Sequence, residues 1–386
     1  MDEFRRLPIF SFLLAVAMGT LPATAEIAGR EAGHVRVLFG GDTCFGESYA
    51  GNPVAARGYD TSLANLAPLL RAVDFRVLNL ETPLTLRRVG ALPGKDYLHY
   101  SDPVKLPAAF ADWHPMAFSL ANNHTLDQGT AGLDDTFAAL QAAGIAWFGA
   151  GRNLAEAARP LVEELRVGER TVTLAVFGAF EYRPRYDADF HFYAGDDRPG
   201  TAPLDITAAR RAIADLRRRA PDAFVVWFVH WGENYRWKNR GQAATAQALR
   251  DAGADLIVGA HAHTMQEVEF DGRGWTFYGL GNFLFNAPGR YAANHAPPFS
   301  LPLVVDFSWR DGRLQAGLRV YPIVSDNRLT AYQPRFVTET EFATVEALLA
   351  DKSGWDTPTR AAVQRGADEI GRYLEFFPPA SKSGRR

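Results

Sequence analysis

The stretch VVWFVHWGENY, residues 225–235, indicates both the fold class and a candidate site. Five of its first six residues are β-branched or aromatic, which is typical of a strand that is buried on both faces. The apolar run ends at His230, and Gly232 and Glu233 follow. In α/β proteins, ligands bind beyond the carboxyl ends of such strands. His230 is therefore either a hydrogen-bonded structural residue or part of a site at the sheet edge.

The composition is that of a globular protein with a sizeable core. The chain has 386 residues, of which 47% are hydrophobic, and this length suits one large domain or two modest ones. The formal net charge is −3, so the chain lacks the basic surplus that holds nucleic acid by its phosphates, and no nucleic-acid partner is expected. The single cysteine, Cys44, excludes an intrachain disulfide.

The N-terminus predicts export from the cytoplasm. Arg5 and Arg6 precede an uncharged apolar run over residues 7–21, and Ala23–Ala25 fits the small-x-small pattern of a cleavage site. Residues 1–25 are therefore predicted to be a secretory signal peptide, which makes the mature protein periplasmic or extracellular. The alternative is an uncleaved membrane anchor, but the run is shorter than the roughly 20 residues that usually span a bilayer.

Apolar runs alternate with helical patterns over residues 34–325, and this alternation predicts one α/β domain. Near its end, the pair Asp311-Gly312 lies between two β-rich runs and predicts a hairpin. Residues 326–386 differ in character and are predicted to form a C-terminal extension. Within it, residues 340–376 are charged and helical in pattern, and the tail SKSGRR is predicted to be disordered.

Six apolar strand patterns end in side chains that can bind metal ions. If the strands are mainly parallel, these ends meet at one edge of the sheet. Residues i and i+2 of an extended chain point to the same side, so Asn79 with Glu81, and His261 with His263, are expected to face one centre. Gly259 leaves room for close approach there. The polar residues at the six strand ends are Asp42, Asn79, Glu81, Asn122, Asn123, His124, His230, His261, His263 and Asn282.

These side chains form a mixed set of imidazole, carboxylate and amide ligands. Such a set suits Mn, Fe or Zn better than calcium, which takes oxygen ligands. One metal rarely needs so many ligands, whereas two metals about 3.5–4 Å apart, bridged by a carboxylate, would use them to activate water for attack on phosphorus. A single strand that ends in a polar residue is weak evidence for a metal site, but six such strands together favour one. They also favour His230 as a metal ligand. The other histidines are interpreted as structural or surface residues: His34, His99, His114, His191 and His295.

Seven segments resemble the CapA family of capsule-biosynthesis or poly-γ-glutamate-synthesis proteins, which belongs to the calcineurin-like metallophosphatase superfamily. The resemblance covers most of the chain, and the combination of ANNHxxDxG, HWG and GxHxH is specific. It implies a four-layer α/β/β/α sandwich with a metal site at the carboxyl ends of the strands. In chain order from Gly41 to Phe285, the segments are GDTCFG, NLETPL, SLANNHTLDQG, GAGRN, HWGENY, GAHAHTMQEVE and GLGNFLF.

The resemblance also implies roles for individual residues. Glu81 would be the carboxylate that bridges two divalent metal ions. His124 would stabilise transition-state charge or protonate the leaving group, and we predict His124 and Asp42 as the catalytic residues. The implied metal ligands are Asp42, Glu81, Asn123, His230, His261 and His263.

The sequence departs from the superfamily pattern at two places. Cys44 stands where a histidine ligand usually follows the first aspartate, and Asn79-x-Glu81 replaces the usual second aspartate. The first metal position is therefore expected to be weak, empty or altered. Cys44 is either a thiolate ligand, which would favour Zn, or a small buried residue.

Four further residues are candidates for the wall of the cleft, with surface or packing roles as the alternative. The planar fork of an arginine suits a phosphate or carboxylate group, which makes Arg236 the candidate for binding an anion. The other three candidates are Tyr97, Glu233 and Tyr235.

Two functions are compatible with these observations. The first is a metal-dependent hydrolase that acts outside the cytoplasm on a phosphoester or a related bond. The second is a non-catalytic component of capsule synthesis and export that binds an anionic polymer such as poly-γ-glutamate, beside membrane synthase subunits. A common fold does not choose between them.

Overall fold

The computed structural model describes residues 27–29, 32–49, 51–88 and 94–380, and these residues build two β-sheets that pack face to face. The predicted signal peptide, residues 1–25, and the predicted disordered tail, residues 381–386, lie outside the described residues. Among the helices that are described, none is both long and apolar enough to cross a membrane.

The described strands form a seven-stranded sheet, a nine-stranded sheet and two small sheets. In spatial order, the seven-stranded sheet contains Ile27–Ala28, Leu161–Val167, Arg170–Phe180, Phe224–His230, Leu256–Ala260, Trp275–Phe277 and Val268–Phe270. The nine-stranded sheet contains Val363–Ala367, Arg372–Phe376, Arg313–Val320, Leu303–Arg310, His34–Cys44, Phe75–Leu80, Met116–Ser119 and Ala146–Phe148, and Asn282–Phe285 also pairs with His34–Cys44. The small sheets contain Phe299–Ser300, Ile323–Val324 and Arg335–Phe336, and Ala150–Gly151 with Gly200–Thr201.

Helices cover the outer faces of the sheets and connect their strands. The longer helices are Gly129–Ala142, Ile206–Arg219, Arg240–Ala252 and Glu339–Lys352. The short ones are Val54–Arg57, Ala67–Arg71, Lys105–Ala109, Leu154–Ala157, Pro184–Ala188, Tyr291–Asn294, Asn327–Thr330 and Thr357–Ala361, with 3₁₀ turns at Asp60–Leu66 and Ala111–Trp113.

Three apolar cores separate four layers. Side chains from both sheets share the central core, for example Phe39 with Phe228. On the outer side of the seven-stranded sheet, Ile213 and Leu249 belong to helices that pack against it. On the outer side of the nine-stranded sheet, Phe137 packs from the helix Gly129–Ala142. The predicted α/β/β/α sandwich is therefore confirmed.

The strand Phe224–His230 shows why residues 225–229 are apolar throughout. Val226 and Phe228 face the central core, whereas Val225 and Trp227 face the helices, so both faces are buried. The strand pairs in parallel with both neighbours. Because side chains alternate along a strand, His230 has the parity of Phe228 and projects to the inner side, between the sheets.

The stretch WTFYGLGNFLF, predicted as strand, crosses from one sheet to the other. Trp275–Phe277 pairs with the strand Leu256–Ala260, whereas Asn282–Phe285 pairs with His34–Cys44. The change of sheet occurs around Gly281, whose φ of 74° is a left-handed conformation that glycine adopts readily. This crossing ties the carboxyl edges of the two sheets together beside the predicted site.

The C-terminal segment is only partly the predicted helical extension. Glu339–Lys352 and Thr357–Ala361 are helices, but Val363–Ala367 and Arg372–Phe376 form a hairpin that joins the nine-stranded sheet. The prediction of helix over residues 340–376 is wrong for this hairpin. Its many charged residues resemble an exposed helix, yet Leu374 and Phe376 alternate with polar residues and are buried in the central core.

We expect Phe376→Ala to lower the free energy of unfolding by about 3–5 kcal/mol, because it leaves a cavity in the central core. The Phe376 ring is 3% exposed and contacts the rings of Trp275, Phe277 and Trp355. Its neighbour Phe377 is 39% exposed, so Phe377→Ala should cost less than about 1 kcal/mol. Urea denaturation measures both variants. Equal, small losses would show that the hairpin is an appendage outside the core.

Candidate metal centre

The structure gathers the predicted site residues between the two sheets, at the carboxyl ends of their strands. All are buried, and none is more than 7% exposed. Four of them lie at or just beyond the ends of three strands of the nine-stranded sheet, and three at or just beyond the ends of two neighbouring strands of the seven-stranded sheet. The residues brought together are Asp42, Glu81, Asn123, His124, His230, His261 and His263.

Asp42 lies near the end of the strand His34–Cys44, where the chain passes very close to the crossing segment. A Cβ atom on Gly41 would lie 1.6 Å from the carbonyl oxygen of Gly281, so glycine is required at that position. The Asp42 carboxylate accepts hydrogen bonds from Asn79 Nδ2 at 2.8 Å and from the backbone N–H of His261 at 3.1 Å. It is therefore fixed by groups from both sheets.

Glu81 occupies the middle of the site. Its Oε1 lies 3.5 Å from His230 Nε2 and 3.9 Å from His124 Nε2, and its Oε2 lies 3.9 Å from His263 Nδ1. Two groups of possible metal ligands, each with its ligand atoms within 4.8 Å of one another, share this residue. The first group is Asp42, Glu81 and His263, and the second is Glu81, His230 and His261.

The hydrogen bonds of the site leave metal-binding atoms without partners. Both carboxylate oxygens of Glu81 and the Nδ1 atom of His261 are buried and accept or donate no hydrogen bond. An unsatisfied buried polar group costs about 1–3 kcal/mol, and a charged one costs more. Divalent cations in contact with these atoms would remove that cost. The donor set is thus compatible with metal binding on structural grounds that are independent of the sequence pattern.

Asn123 and His230 face each other across the second ligand group. His230 Nε2–H donates to Asn123 Oδ1 at 2.6 Å, while His230 Nδ1 accepts from Asn79 Nδ2 at 3.3 Å. A metal ion that bound His230 Nε2 would replace the first hydrogen bond and would also find Asn123 Oδ1 within reach. Asn79 would continue to orient the imidazole through its other nitrogen.

His261 and His263 reach the centre by a route that differs from the expected one. The strand ends at Ala260, and the φ angles of the two histidines are 92° and 58°, which are left-handed. The i, i+2 rule for extended chain therefore does not apply to them, although both face the site. Gly259 allows the close approach that was predicted, because a Cβ atom there would lie 1.8 Å from the carbonyl oxygen of Tyr278.

Burial sets the protonation of the site. It lowers the pKa of His230 and His261 well below 6.5, so both imidazoles are neutral, which is the form that binds metals. Burial also acts to raise the pKa of Asp42, but the hydrogen bond and charge of His263 outweigh it and hold that pKa below 3.8. For Glu81, burial and then the charge of Asp42 raise the pKa well above 4.5.

Asn79 and Asn122 support the ligands and lie one step away from the centre. Asn79 contacts both Asp42 and His230, and Asn122 Nδ2 donates to Asn79 Oδ1 at 3.1 Å and to the Leu80 carbonyl at 2.8 Å. The sequence pattern that marked them as candidate ligands therefore identified the right region. The structure gives them positioning contacts.

His124 belongs to a buried network that sequence reasoning did not foresee. Its Nδ1–H donates to Asp127 at 2.5 Å, and Lys95 Nζ donates to the other oxygen of Asp127 at 2.6 Å. His99, interpreted as a structural or surface residue, stacks on His124 with ring centres 3.7 Å apart. The backbone N–H of His99 also donates to Asp127 at 2.6 Å. Lys95 and His99 lie on a loop with no strand or helix pattern, so no periodic signal marks them.

Cys44 is fully buried, and burial followed by the charge of Glu47 raises the pKa of its thiol well above 9.0. A thiol must lose its proton before it binds a metal. Among the described residues, Cys44 is not part of any group of three metal-competent side chains. Of the two interpretations, the geometry favours a small buried residue.

Two cavities border the centre. One, of about 580 Å³, is lined by Asn123 and His261, together with Glu181, Arg183 and Glu233. The second, of about 250 Å³, is lined by other residues of the site and of the cleft: His99, His124, His263, Tyr49, Tyr97, Tyr235 and Arg290. Tyr97, Glu233 and Tyr235 thus line the cleft as expected. Arg236 lines neither cavity, and the arginines of the cleft are Arg183 and Arg290.

Fold and site together define a class of protein: an α/β/β/α sandwich with a buried histidine–carboxylate centre between its sheets. Residues 36–287 match the family described as bacterial capsule synthesis protein PGA_cap. The chain therefore belongs to this family.

Similar proteins occur in several bacteria. The chain is 29% identical over 249 residues to the PGA biosynthesis protein CapA of Bacillus subtilis (strain 168), a match that covers 64% of this chain and 62% of that protein. It is also 29% identical over 286 residues to the capsule biosynthesis protein CapA of Bacillus anthracis, covering 72% and 67%. The crystal structure of a novel phosphatase from Mycoplasma pneumoniae aligns with 78% of this chain and 97% of that chain, with 12% identity and a TM-score of 0.44.

The stability of Glu81 variants should depend on both pH and metal. Because its folded pKa lies above the ordinary 4.5, the stabilisation linked to its proton is complete below pH 4.5 and is lost as pH rises through the folded pKa. Without metal, and at a pH close to or above the folded pKa of Glu81, Glu81→Gln should therefore be more stable than wild type by about 1–3 kcal/mol. With Mn²⁺ present, wild type should be the more stable protein. Urea denaturation across pH, with chelator or with Mn²⁺, measures this reversal.

Glu163 offers a matched control for this experiment. It is buried on the strand Leu161–Val167, and burial raises its pKa to about 7, but it lies outside the metal centre. Glu163→Gln should change the pH dependence of stability without changing the response to Mn²⁺. If Glu81→Gln gained as much stability from Mn²⁺ as wild type does, Glu81 would not hold a metal.

Proposed function

We propose that this protein is a metal-dependent hydrolase that acts outside the cytoplasm, on a phosphoester or a related bond, in the production of capsule or poly-γ-glutamate. The observation that carries the proposal is the position of Glu81. Its carboxylate is shared by two groups of ligands, and neither of its oxygens has a hydrogen-bond partner.

Two divalent ions, of Mn, Fe or Zn, suit the proposed centre. The first would be held by Asp42, Glu81 and His263, and the second by Glu81 with Asn123, His230 and His261. When bound, such ions polarise the oxygens of the reacting group and lower the pKa of water towards neutrality. Asp42 would contribute to catalysis by holding the first ion in a position fixed by Asn79 and the backbone of His261.

His124 is the proposed proton donor to a leaving group. Asp127 holds Nδ1, and the stacked ring of His99 fixes the plane of the imidazole, so Nε2 points at the centre. Burial and then the charge of Lys95 lower the pKa of His124 well below 6.5, so the unliganded imidazole is neutral and Nε2 would have to take up the proton that it passes to the leaving group. Asp127 would stabilise the imidazolium that carries this proton.

The process is proposed from the relatives. The named relatives are a PGA biosynthesis protein and a capsule biosynthesis protein, and the chain spans 62% and 67% of their lengths. An anionic polymer or a phosphoester precursor is therefore the proposed substrate, and membrane capsule-synthase subunits are the proposed partners. The predicted signal peptide, or membrane anchor, at residues 1–25 supports a periplasmic or extracellular location.

Cys44 is the observation that favours the alternative, a non-catalytic component that binds the polymer during synthesis and export. A buried, protonated thiol stands where a histidine ligand is usual, and the described residues offer the first ion a group of three histidine and carboxylate side chains, Asp42, Glu81 and His263. Such a site could bind polymer through a single ion without turnover.

The deciding experiment compares wild type with His263→Ala, His124→Gln and the control His191→Asn. We expect roughly two transition metals per chain in wild type and in His124→Gln, and fewer in His263→Ala. His124→Gln should lower kcat for phosphoester substrates by about 10²–10⁴ while keeping its metals. His191 is exposed, and asparagine tolerates its left-handed backbone, so His191→Asn should leave both measurements unchanged.

Elemental analysis and a phosphoester screen provide the measurements. Full activity in His263→Ala would contradict the proposal. Wild type that holds metal, turns over nothing in the screen and retains an anionic polymer would support the alternative.

A further inference from the structure

The cavity beside His124 and His263 contains an arginine without an acidic partner. Arg290 is exposed on the wall of this cavity, and its guanidinium carbon lies 5.2 Å from the ring centre of Tyr97 and 5.4 Å from that of Tyr235. Within the described part of the chain, Arg290 forms no ion pair with a carboxylate. The cavity thus offers an uncompensated positive charge next to the candidate metal centre.

Both tyrosines that flank this arginine have strained backbones. The φ angles of Tyr97 and Tyr235 are 59° and 57°, in the left-handed region that bulky residues rarely adopt. Such conformations are strained and cluster at ligand-binding sites. Tyr235 is tied to the centre, because its N–H donates to the Ala262 carbonyl at 2.7 Å and its ring lies 5.6 Å from that of His263. Arg290 is therefore held at a defined distance from the centre.

The other cavity that borders the centre has a different charge. Its arginine, Arg183, pairs with Glu181 at 3.1 Å and also donates to the Gly232 carbonyl. Glu233 adds a second carboxylate to that wall. An anionic group on a substrate would therefore be attracted to the Arg290 side and repelled from the Arg183 side.

We propose that Arg290, together with Tyr97 and Tyr235, anchors an oxyanion that the substrate carries next to its reacting bond. The planar guanidinium fork matches a carboxylate or a phosphate and binds either with two parallel hydrogen bonds. This inference rests on the proposed function and deepens it: the site selects substrates with a negative charge on the His124 side of the bond. Arg290 contacts this charge and determines specificity, while the chemistry takes place at the centre.

The test is direct binding of two probes, a γ-linked glutamate trimer and a phosphodiester-linked glycerol phosphate dimer, with and without Mn²⁺. We expect Arg290→Met to weaken the binding of at least one probe by about ten- to a hundredfold. The affinity of Arg290→Lys for the probe should lie between those of wild type and Arg290→Met, because lysine keeps the positive charge but lacks the planar guanidinium fork. Arg218→Met is the matched control, since Arg218 is 70% exposed on the helix Ile206–Arg219 and lines neither cavity.

The two probes distinguish a carboxylate-bearing from a phosphate-bearing substrate, according to which one depends on Arg290. The inference is overturned if both probes bind Arg290→Met as well as wild type, or if wild type binds neither at millimolar concentration. Arg290-dependent binding in a protein without metal or turnover would keep the inference and refute the hydrolase. Metal-dependent turnover with binding that does not depend on Arg290 would refute the inference alone.

Discussion

The architecture of the site depends on one buried carboxylate, that of Glu81, which has no hydrogen-bond partner of its own. It lies beside the apolar core that the two sheets share, and Asp42 next to it adds a second buried carboxylate. Burial lowers the pKa values of His230 and His261, so these two imidazoles are neutral and do not neutralise this charge. Removing charge from water in this way is costly unless cations or protons compensate it. The rest of the fold therefore has to accommodate the buried charge of these carboxylates.

The fold explains how so many ligands meet. Parallel strands of both sheets end at the same edge, and glycines at residues 41 and 259 let backbones from neighbouring segments approach within a distance that no side chain would permit. The alternation along Phe224–His230 fixes which face each side chain takes, and it places His230 on the inner side. These features are local, and the sequence pattern predicts them well. The hairpin at Asp311-Gly312 is a further case, since both residues adopt the left-handed conformations of a two-residue turn.

Other features depend on contacts between distant parts of the chain, and periodicity does not report them. Lys95 and His99 reach Asp127 from an irregular loop, and Arg290 reaches the cleft from the turn before a short helix. The many charged residues between 363 and 376 indicate an exposed helix, whereas the alternation that ends in Leu374 and Phe376 is the weaker signal of the hairpin that the structure shows. For the histidines after Ala260, convergence was predicted through an extended strand, whereas a left-handed turn produces it. The alternation of apolar and polar residues identifies strands, but only the structure shows which loop residues fold back over the site.

The most direct test of the central claim is anomalous X-ray scattering from crystals of the Mn²⁺-loaded protein. If two metal ions share the Glu81 carboxylate, we expect two peaks about 3.5–4 Å apart, one on each side of that carboxylate. The peak on one side should contact Asp42 and His263, and the other should contact His230 and His261. A single peak, or peaks that do not contact Glu81, would contradict the claim that this carboxylate is shared by two metal ions.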